Sequence, residues 1–200
     1  GLDICPETLA WGTENNLGKL KAKVAERVEV LEQDVRSRTV PQVDVLAAQN
    51  FSFWCFKTRA EVLNYFKIAY ETLGEKGVMV MDMMGGKECY ASDVTDKRTI
   101  IKGREGFKYH WEQAYFNPVT ADCSFFIHFK FGDGSMIKKA FDYHWRFWTI
   151  PEVREMLAEA GFRMSKVYWD IAEEDEDADW QAVDEAPNDD SWLCYVVGIK

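Results

Sequence analysis

The sequence predicts an α/β fold: a mostly parallel sheet with helices on both faces, to which an antiparallel β-meander is added. Between Leu2 and Gly86, short apolar runs alternate with amphipathic segments, a pattern typical of a parallel sheet. After Gly86 the period changes, because apolar and polar residues then alternate one by one, as they do in half-buried strands. Three segments show this alternation: 107–116, 123–131 and 135–148.

Composition indicates a single globular domain over residues 1–200, with the meander as an insertion at 107–148. Hydrophobic residues make up 47% of the chain, enough for a large core. The net charge of -10 argues against a nucleic-acid partner, because phosphate binding needs basic patches; we expect a small-molecule ligand. No apolar run approaches the roughly 18 residues of a membrane span and no signal peptide is visible, which predicts a cytoplasmic protein without a membrane partner. The five scattered cysteines include no Cys-x-x-Cys pair, which predicts reduced thiols and no metal site.

The stretch 1–9 is typical of a strand that carries an acid at its tip and turns directly into a helix. Leu2 and Ile4 flank Asp3, and Pro6 suits the first helical turn, where its missing N–H costs nothing. An acid at such a strand end is a common ligand for the ribose hydroxyls of an adenosine cofactor. Asp3 could equally be a capping residue at the junction of strand and helix.

Three further apolar segments complete the predicted parallel sheet: 28–35, 43–48 and 78–84. The segment 43–48 opens into a loop that begins with Gln49 and Asn50. Polar groups at the carboxyl end of a strand are where ligands bind in open α/β sheets. The sequence therefore places a candidate ligand site at this loop.

Helix boundaries are marked by caps. The first helix is predicted over 6–16. Thr58 with Glu61 and Thr149 with Glu152 each form a capping-box pattern at the start of a further helix. The helices behind these boxes are predicted to end near residues 73 and 160, where glycines follow.

The remaining segments are a loop and two closing strands. The polar stretch 87–106 is predicted to be a loop that could serve as a lid. The strands 163–170 and 192–199 flank an acidic run, 173–177, which we interpret as a solvated loop.

A nucleotide-binding fold of this kind also needs an earlier strand and a glycine-rich turn for the charged end of the ligand. No Gly-x-Gly-x-x-Gly run occurs near the start of the sequence. We therefore expect one strand, one loop and a helix to precede Gly1 in the native protein.

The order and spacing of these segments resemble class I S-adenosylmethionine-dependent methyltransferases, which have a Rossmann-like fold. The stretch 1–9 resembles the second strand of that family, and Asp34-Val35 resembles the acidic end of its third strand. The segments 43–50 and 78–86 resemble its fourth and fifth strands, and 151–162 resembles its last helix. The two closing strands match its terminal antiparallel pair. The resemblance covers most of the chain except the meander. It implies transfer of a methyl group from S-adenosylmethionine to a small-molecule acceptor held under the meander.

The resemblance also implies roles for individual residues in binding S-adenosylmethionine. Asp3 would hold the ribose hydroxyls, with Ile4 against the adenine. Asp34 would accept a hydrogen bond from the adenine amino group, and Val35 would supply a backbone contact. The methionine part would lie along three residues at the end of the fourth strand: Ala48, Gln49 and Asn50.

An acceptor that is a protonated amine or a hydroxyl must lose a proton, so a base is expected near it. The candidate bases lie in the aromatic meander: His110, Glu112 and His144, with Tyr109 as a further choice. A histidine on an aromatic strand is more often a packed or surface residue than a base. The aromatic stripes also suit a core or a subunit contact, so the meander offers a surface for a homodimer.

Two other functions stay open at this stage. A nicotinamide-dependent oxidoreductase would use an acid at the second strand in the same way, although the sequence has no Tyr-x-x-x-Lys pair of the short-chain type. A non-catalytic relative of the methyltransferases would use the meander for binding or assembly.

Overall fold

The computed structural model describes residues 1–37, 41–102, 105–173 and 177–200, and most of the acidic run therefore lies outside the described residues. The helices are α1 (Pro6–Asn15), α2 (Ala22–Ala25), α3 (Arg59–Thr72) and α4 (Ile150–Ala160). The strands are β1 (Leu2–Asp3), β2 (Leu31–Glu32), β3 (Val43–Ala48), β4 (Leu73–Gly85), β5 (Val94–Lys102), β6 (Glu105–Phe116), β7 (Asp122–Phe131), β8 (Met136–Arg146), β9 (Met164–Asp170), β10 (Trp180–Val183) and β11 (Trp192–Ile199). Short 3-10 turns lie at Leu17–Lys19, Ser52–Cys55 and Lys87–Tyr90.

The central sheet has five strands in the order β10-β9-β11-β4-β3. β3 and β4 are parallel, whereas β11 runs antiparallel to both β4 and β9. The predicted α/β fold with a terminal antiparallel pair is thereby confirmed. β10 extends this antiparallel edge and was not predicted, because only four residues of it pair with β9.

β1 and β2 form a separate parallel sheet of two strands, with Leu2 opposite Leu31 and Asp3 opposite Glu32. In the structure, the predicted strand 28–35 is reduced to the two residues of β2, Leu31–Glu32. Val28 and Val30 are exposed, so the apolar residues before β2 do not contribute to a buried strand.

The core lies on one face of the five-stranded sheet. Met79, Met81 and Met83 point to this face from β4 and are completely buried, and Cys194 and Val196 lie beside them in register. The apolar sides of α3 and α4 cover these side chains. Both predicted capping boxes are present, so local sequence fixes where these two helices begin.

The meander is an antiparallel sheet of four strands in the order β5-β6-β7-β8. Its first strand, β5, was predicted as part of a loop or lid over 87–106. The structure instead pairs β5 with β6 along its whole described length. Most of β5 is polar and exposed, so its pairing comes from backbone hydrogen bonds rather than from an apolar pattern that the sequence would reveal.

Within the described ranges, no helix has the length and apolar character needed to cross a bilayer. The same residues contain no cluster of three or more His, Cys, Asp or Glu side chains placed to hold a metal ion.

The cysteines divide into two accessible and three buried thiols. Burial raises the pKa of Cys89 to about 11 and the pKa values of Cys123 and Cys194 to about 12. We expect a thiol reagent at mildly alkaline pH to modify Cys5 and Cys55 in the folded protein and all five cysteines after unfolding. Mass spectrometry of peptides from the modified protein measures this. Rapid labelling of Cys123 or Cys194 without denaturant would contradict the packing described.

Candidate functional site

Asp3 and Asp34 lie at the carboxyl ends of adjacent parallel strands. Asp3 is the last residue of β1, and its Oδ1 accepts a hydrogen bond from the backbone N–H of Cys5 at 2.8 Å. No other hydrogen bond to the Asp3 carboxylate is formed by the residues that the structure describes. Ile4, next in sequence, has 68% of its surface exposed. Asp3 therefore has one carboxylate oxygen without a hydrogen bond from the described residues, and the side chain next to it, Ile4, is apolar and exposed.

Asp34 is two residues beyond β2 and is paired with a cation. Arg36 donates to both oxygens of the Asp34 carboxylate, with the shortest contact, from Nη2, at 2.6 Å. The backbone N–H of Arg36 donates to the same carboxylate. These hydrogen bonds, those from the Arg36 side chain first, lower the pKa of Asp34 to about 2. Val35, between them, is exposed.

The pairing of Asp34 with Arg36 predicts how the Arg36→Gln substitution affects stability at different pH values. A lowered pKa means that the ionised carboxylate is favoured in the folded state, so the pair stabilises the fold above the unfolded pKa of about 3.9. That contribution is lost as the pH falls through the folded pKa of about 2. We expect Arg36→Gln to be less stable than the parent protein near neutral pH, with the difference shrinking in acid. Denaturant unfolding of both proteins across this range measures it; a difference independent of pH would contradict the pairing.

The end of β2 lies near the segment that follows β3. The guanidinium of Arg36 is 5.2 Å from the centre of the Phe56 ring, and Phe56 follows the loop that begins at Gln49. The segment that follows β2 therefore contacts the segment that follows the loop after β3.

A buried carboxylate holds the loop after β3. Asp82, on β4, is only 7% exposed. Its Oδ2 accepts the backbone N–H of Asn50 at 2.7 Å, and its Oδ1 accepts that of Phe51 at 2.8 Å. Gln49 is held as well, because its Nε2 donates to the carbonyl of Val80 at 3.3 Å.

The conformation of this loop requires such support. Asn50 and Phe51 have φ angles of 59° and 55°, in the left-handed region that residues other than glycine rarely adopt. Two charge-assisted hydrogen bonds from adjacent N–H groups to one carboxylate offset this strain. Ala48, Gln49 and Asn50, predicted to bind the cofactor, therefore lie in a segment that Asp82 fixes. The sequence prediction missed Asp82; its signal was an acid inside an otherwise apolar strand.

An aromatic cluster joins this loop to the meander. The Phe51 ring is 5.5 Å from Trp54 and 5.9 Å from Trp145 of β8. Trp54 is completely buried, and its ring is 4.6 Å from that of Phe147. Phe125 of β7 contacts Trp145 and Phe147 in turn. One face of the meander, which we call the core-facing side, is thus packed on the loop after β3.

The core-facing side also carries a pocket beyond the aromatic cluster. A pocket of about 320 Å³ is lined by Arg98, Ile100, Tyr109 and Trp111. Trp111 stacks on Phe125 with the rings 5.1 Å apart, so the pocket is continuous with the aromatic cluster. Burial raises the pKa of Tyr109, so its phenol stays protonated and available as a hydrogen-bond donor.

The three predicted bases lie on the opposite face of the meander, which we call the outer face. Tyr109 and Trp111 point toward the core-facing side, so the neighbours His110 and Glu112 point away from it. His144 is opposite Ser124 on the same outer face, and its two ring nitrogens contact Ser124 and Asp142. The structure therefore separates these three side chains from the loop after β3.

Two buried polar atoms in and near the aromatic cluster are unpaired. Nε1 of Trp54 and Oε1 of Gln113 have no hydrogen-bond partner among the described residues. Gln113 lies opposite Phe125, on the core-facing side. Buried polar atoms are rarely left unpaired, so these two atoms are exceptions within the aromatic cluster.

The described structure has the fold of class I methyltransferases. It superimposes with a TM-score of 0.68 on an S-adenosylmethionine-dependent methyltransferase from Clostridium acetobutylicum, at 15% identity over 100% of this chain and 73% of that one. An amino pentose methyltransferase from Micromonospora echinaspora, with S-adenosylmethionine bound, gives a TM-score of 0.66 at 12% identity over 99% and 72% of the chains. A sugar N-methyltransferase from a Streptoalloteichus species gives a TM-score of 0.66 at 12% identity over 100% and 70%.

No family model matches the sequence, and no curated protein sequence matches it. The structure therefore shows the shared fold, which the low overall sequence identity does not reveal. The fold class predicted from strand order and spacing is confirmed.

Proposed function

We propose that the protein transfers a methyl group from S-adenosylmethionine to a small-molecule acceptor. The observation that carries this proposal is the likeness of the whole described chain to methyltransferases. The sites suggested for the cofactor fit it chemically. Asp3 has a carboxylate oxygen free to accept from ribose hydroxyls, and Ile4 offers an uncovered apolar side chain to a flat base.

The other cofactor contacts follow from the strand ends. Both oxygens of Asp34 accept from Arg36, so Asp34 would exchange one of these hydrogen bonds for one from the adenine amino group, and Val35 would offer its backbone beside it. Ala48, Gln49 and Asn50 would line the methionine part, held in place by Asp82. When bound, the cofactor supplies an activated methyl group on a sulfonium, so the protein has chiefly to orient the acceptor and exclude water.

The acceptor would lie on the core-facing side of the meander. The pocket beside Trp111 and Tyr109 is the size of a small ring, and aromatic faces suit the apolar face of a sugar. Two of the structural neighbours are described as amino pentose and sugar N-methyltransferases. We propose an amine on a sugar-sized molecule as the acceptor, with Tyr109, which lines the pocket, offering a hydrogen bond. His110, Glu112 and His144 lie on the outer face, so we assign them no part in holding the acceptor.

Substitution of Asp3 tests the cofactor site. Asp3→Ala in the full-length protein is expected to weaken binding of S-adenosylmethionine by about 1–3 kcal/mol, because the ribose hydroxyls lose a charged acceptor. Isothermal titration calorimetry measures this. Asp184→Ala, at an exposed site after β10, is the matched control and should bind as the parent does. Equal affinity of the Asp3→Ala and parent proteins would remove Asp3 from the site.

A further inference from the structure

The outer face of the meander carries a compact group of cationic side chains, although the chain as a whole has a net charge of -10. Lys97, His110 and His128 lie opposite one another across β5, β6 and β7. Lys108 lies opposite Lys130 in the next outer-face row. Directly opposed side chains have their Cβ atoms about 5 Å apart, so these charges are close neighbours. We call Lys97, Lys108 and Lys130 the outer-face lysines.

The carboxylates of this face do not neutralise the lysines. Glu112 is bonded to Nε2 of His128 at 2.7 Å, and Asp142 contacts Nε2 of His144 at 2.8 Å. Among the described residues, none of the outer-face lysines forms an ion pair within 4.0 Å. Like charges directly opposite each other destabilise a sheet, so this arrangement carries a cost that an anion would relieve.

His110 lies at the centre of the group with an unused nitrogen. Its Nε2 is buried and has no hydrogen-bond partner among the residues described. The pKa of His110 is lowered, first by burial and then by the positive charges of Lys97, His128, Lys130 and Lys108. The electrostatic surroundings of this ring are therefore positive, and an anion bound among the lysines would favour its protonated form.

The neighbouring His128 is fixed and cannot take the same role. Its Nδ1 accepts the backbone N–H of Lys139 at 3.1 Å, so its proton resides on Nε2, which donates to Glu112. Protonation of Nδ1 would break the first of these bonds. Lys139 contributes a further cation at the rim, with its ammonium 3.8 Å from the centre of the Phe126 ring.

We propose that the outer face of the meander binds the phosphate group of a small phosphorylated molecule, held by Lys97, Lys108 and Lys130, with the positive charge of protonated His110 adding to theirs. A dianion of this size matches several lysines around one imidazole. The acidic remainder of the protein would repel a long polyanion, which favours a small ligand over nucleic acid. This site is on the opposite face from the proposed acceptor pocket and does not depend on methyl transfer.

Nuclear magnetic resonance of the three histidines tests the proposal. The imidazole signals are titrated with pH in sodium chloride and then in inorganic phosphate or pyrophosphate at matched ionic strength, and His110 is assigned with His110→Gln. The groups facing His110 are Lys97 from β5, Lys108 and Glu112 from β6, His128 and Lys130 from β7, and Lys139 from β8. We expect phosphate to raise the pKa of His110 and to leave His144 unchanged.

Lysine variants give the second measurement. Lys108→Gln and Lys130→Gln should each weaken pyrophosphate binding about tenfold, because each removes one charge-assisted contact. Lys166→Gln, on β9 of the other sheet, is the matched control and should bind as the parent does. The proposal is overturned if phosphate and chloride give the same His110 titration, if all three variants bind equally, or if an oligonucleotide binds where phosphate and pyrophosphate do not.

Discussion

Asp82→Ala is expected to lower the free energy of unfolding by about 2–4 kcal/mol, because it leaves two part-buried backbone N–H groups without their charged acceptor. These N–H groups belong to Asn50 and Phe51, whose left-handed conformations depend on the carboxylate. Denaturant unfolding followed by circular dichroism measures the change. If the loop lines the methionine part of the cofactor, affinity for S-adenosylmethionine should fall as well.

Two further variants make the Asp82 result specific. Asp82→Asn keeps the size of the side chain, but its NH2 group would face one of the two N–H donors, so it should recover only part of the loss. Asp44→Ala, at an exposed position on β3, is the control and should change stability by less than about 0.5 kcal/mol. An Asp82→Ala protein as stable as the Asp44→Ala control would show that the carboxylate does not support the loop.

Trp54→Ala is expected to destabilise the fold by about 3–5 kcal/mol, the usual cost of removing a buried aromatic side chain. Trp54 is completely buried between Phe51 of the loop and Trp145 and Phe147 of the meander segment. Its removal takes away the most deeply buried of the ring contacts between the meander and the loop after β3. Thermal unfolding should show a lower midpoint. Amide hydrogen exchange should show weaker protection of β7 and β8.

Trp11 provides a matched control for Trp54, because it is 62% exposed on α1. Trp11→Ala removes the same side chain with little loss of buried contact and should change the free energy of unfolding by less than about 0.5 kcal/mol. Equal effects of the two substitutions would mean that the aromatic cluster does not hold the meander in place.

Segments with a strong local signal could be predicted from the sequence. Val43–Ala48 and Trp192–Ile199 have the predicted bounds, since each is a short apolar run between turn residues. The capping boxes at Thr58 and Thr149 located two helices to within one residue. β5 could not be predicted, because its polar residues have little burial and its pairing with β6 is a long-range backbone interaction.

The candidate site was only partly predictable for a similar reason. The alternation in β6 placed Tyr109 and His110 on opposite faces, but which face meets the loop after β3 depends on contacts of Trp145 and Phe125 that are distant in sequence. The bond from Asp82 to the Asn50 N–H joins residues 32 positions apart and leaves no periodic trace. The neighbouring positions of β1 and β2 were predicted from strand order, and their parallel pairing is confirmed.

The most direct test of the proposed function is a comparison of two cofactors by calorimetry on the full-length protein. S-adenosylmethionine, or its demethylated product S-adenosylhomocysteine, is titrated in parallel with a nicotinamide dinucleotide, which an acid at the end of β1 could also bind through ribose. We expect saturable binding of S-adenosylmethionine, weakened by Asp3→Ala, and no comparable binding of the dinucleotide. Tighter binding of the dinucleotide, or binding of neither, would contradict the assignment of this fold to methyl transfer.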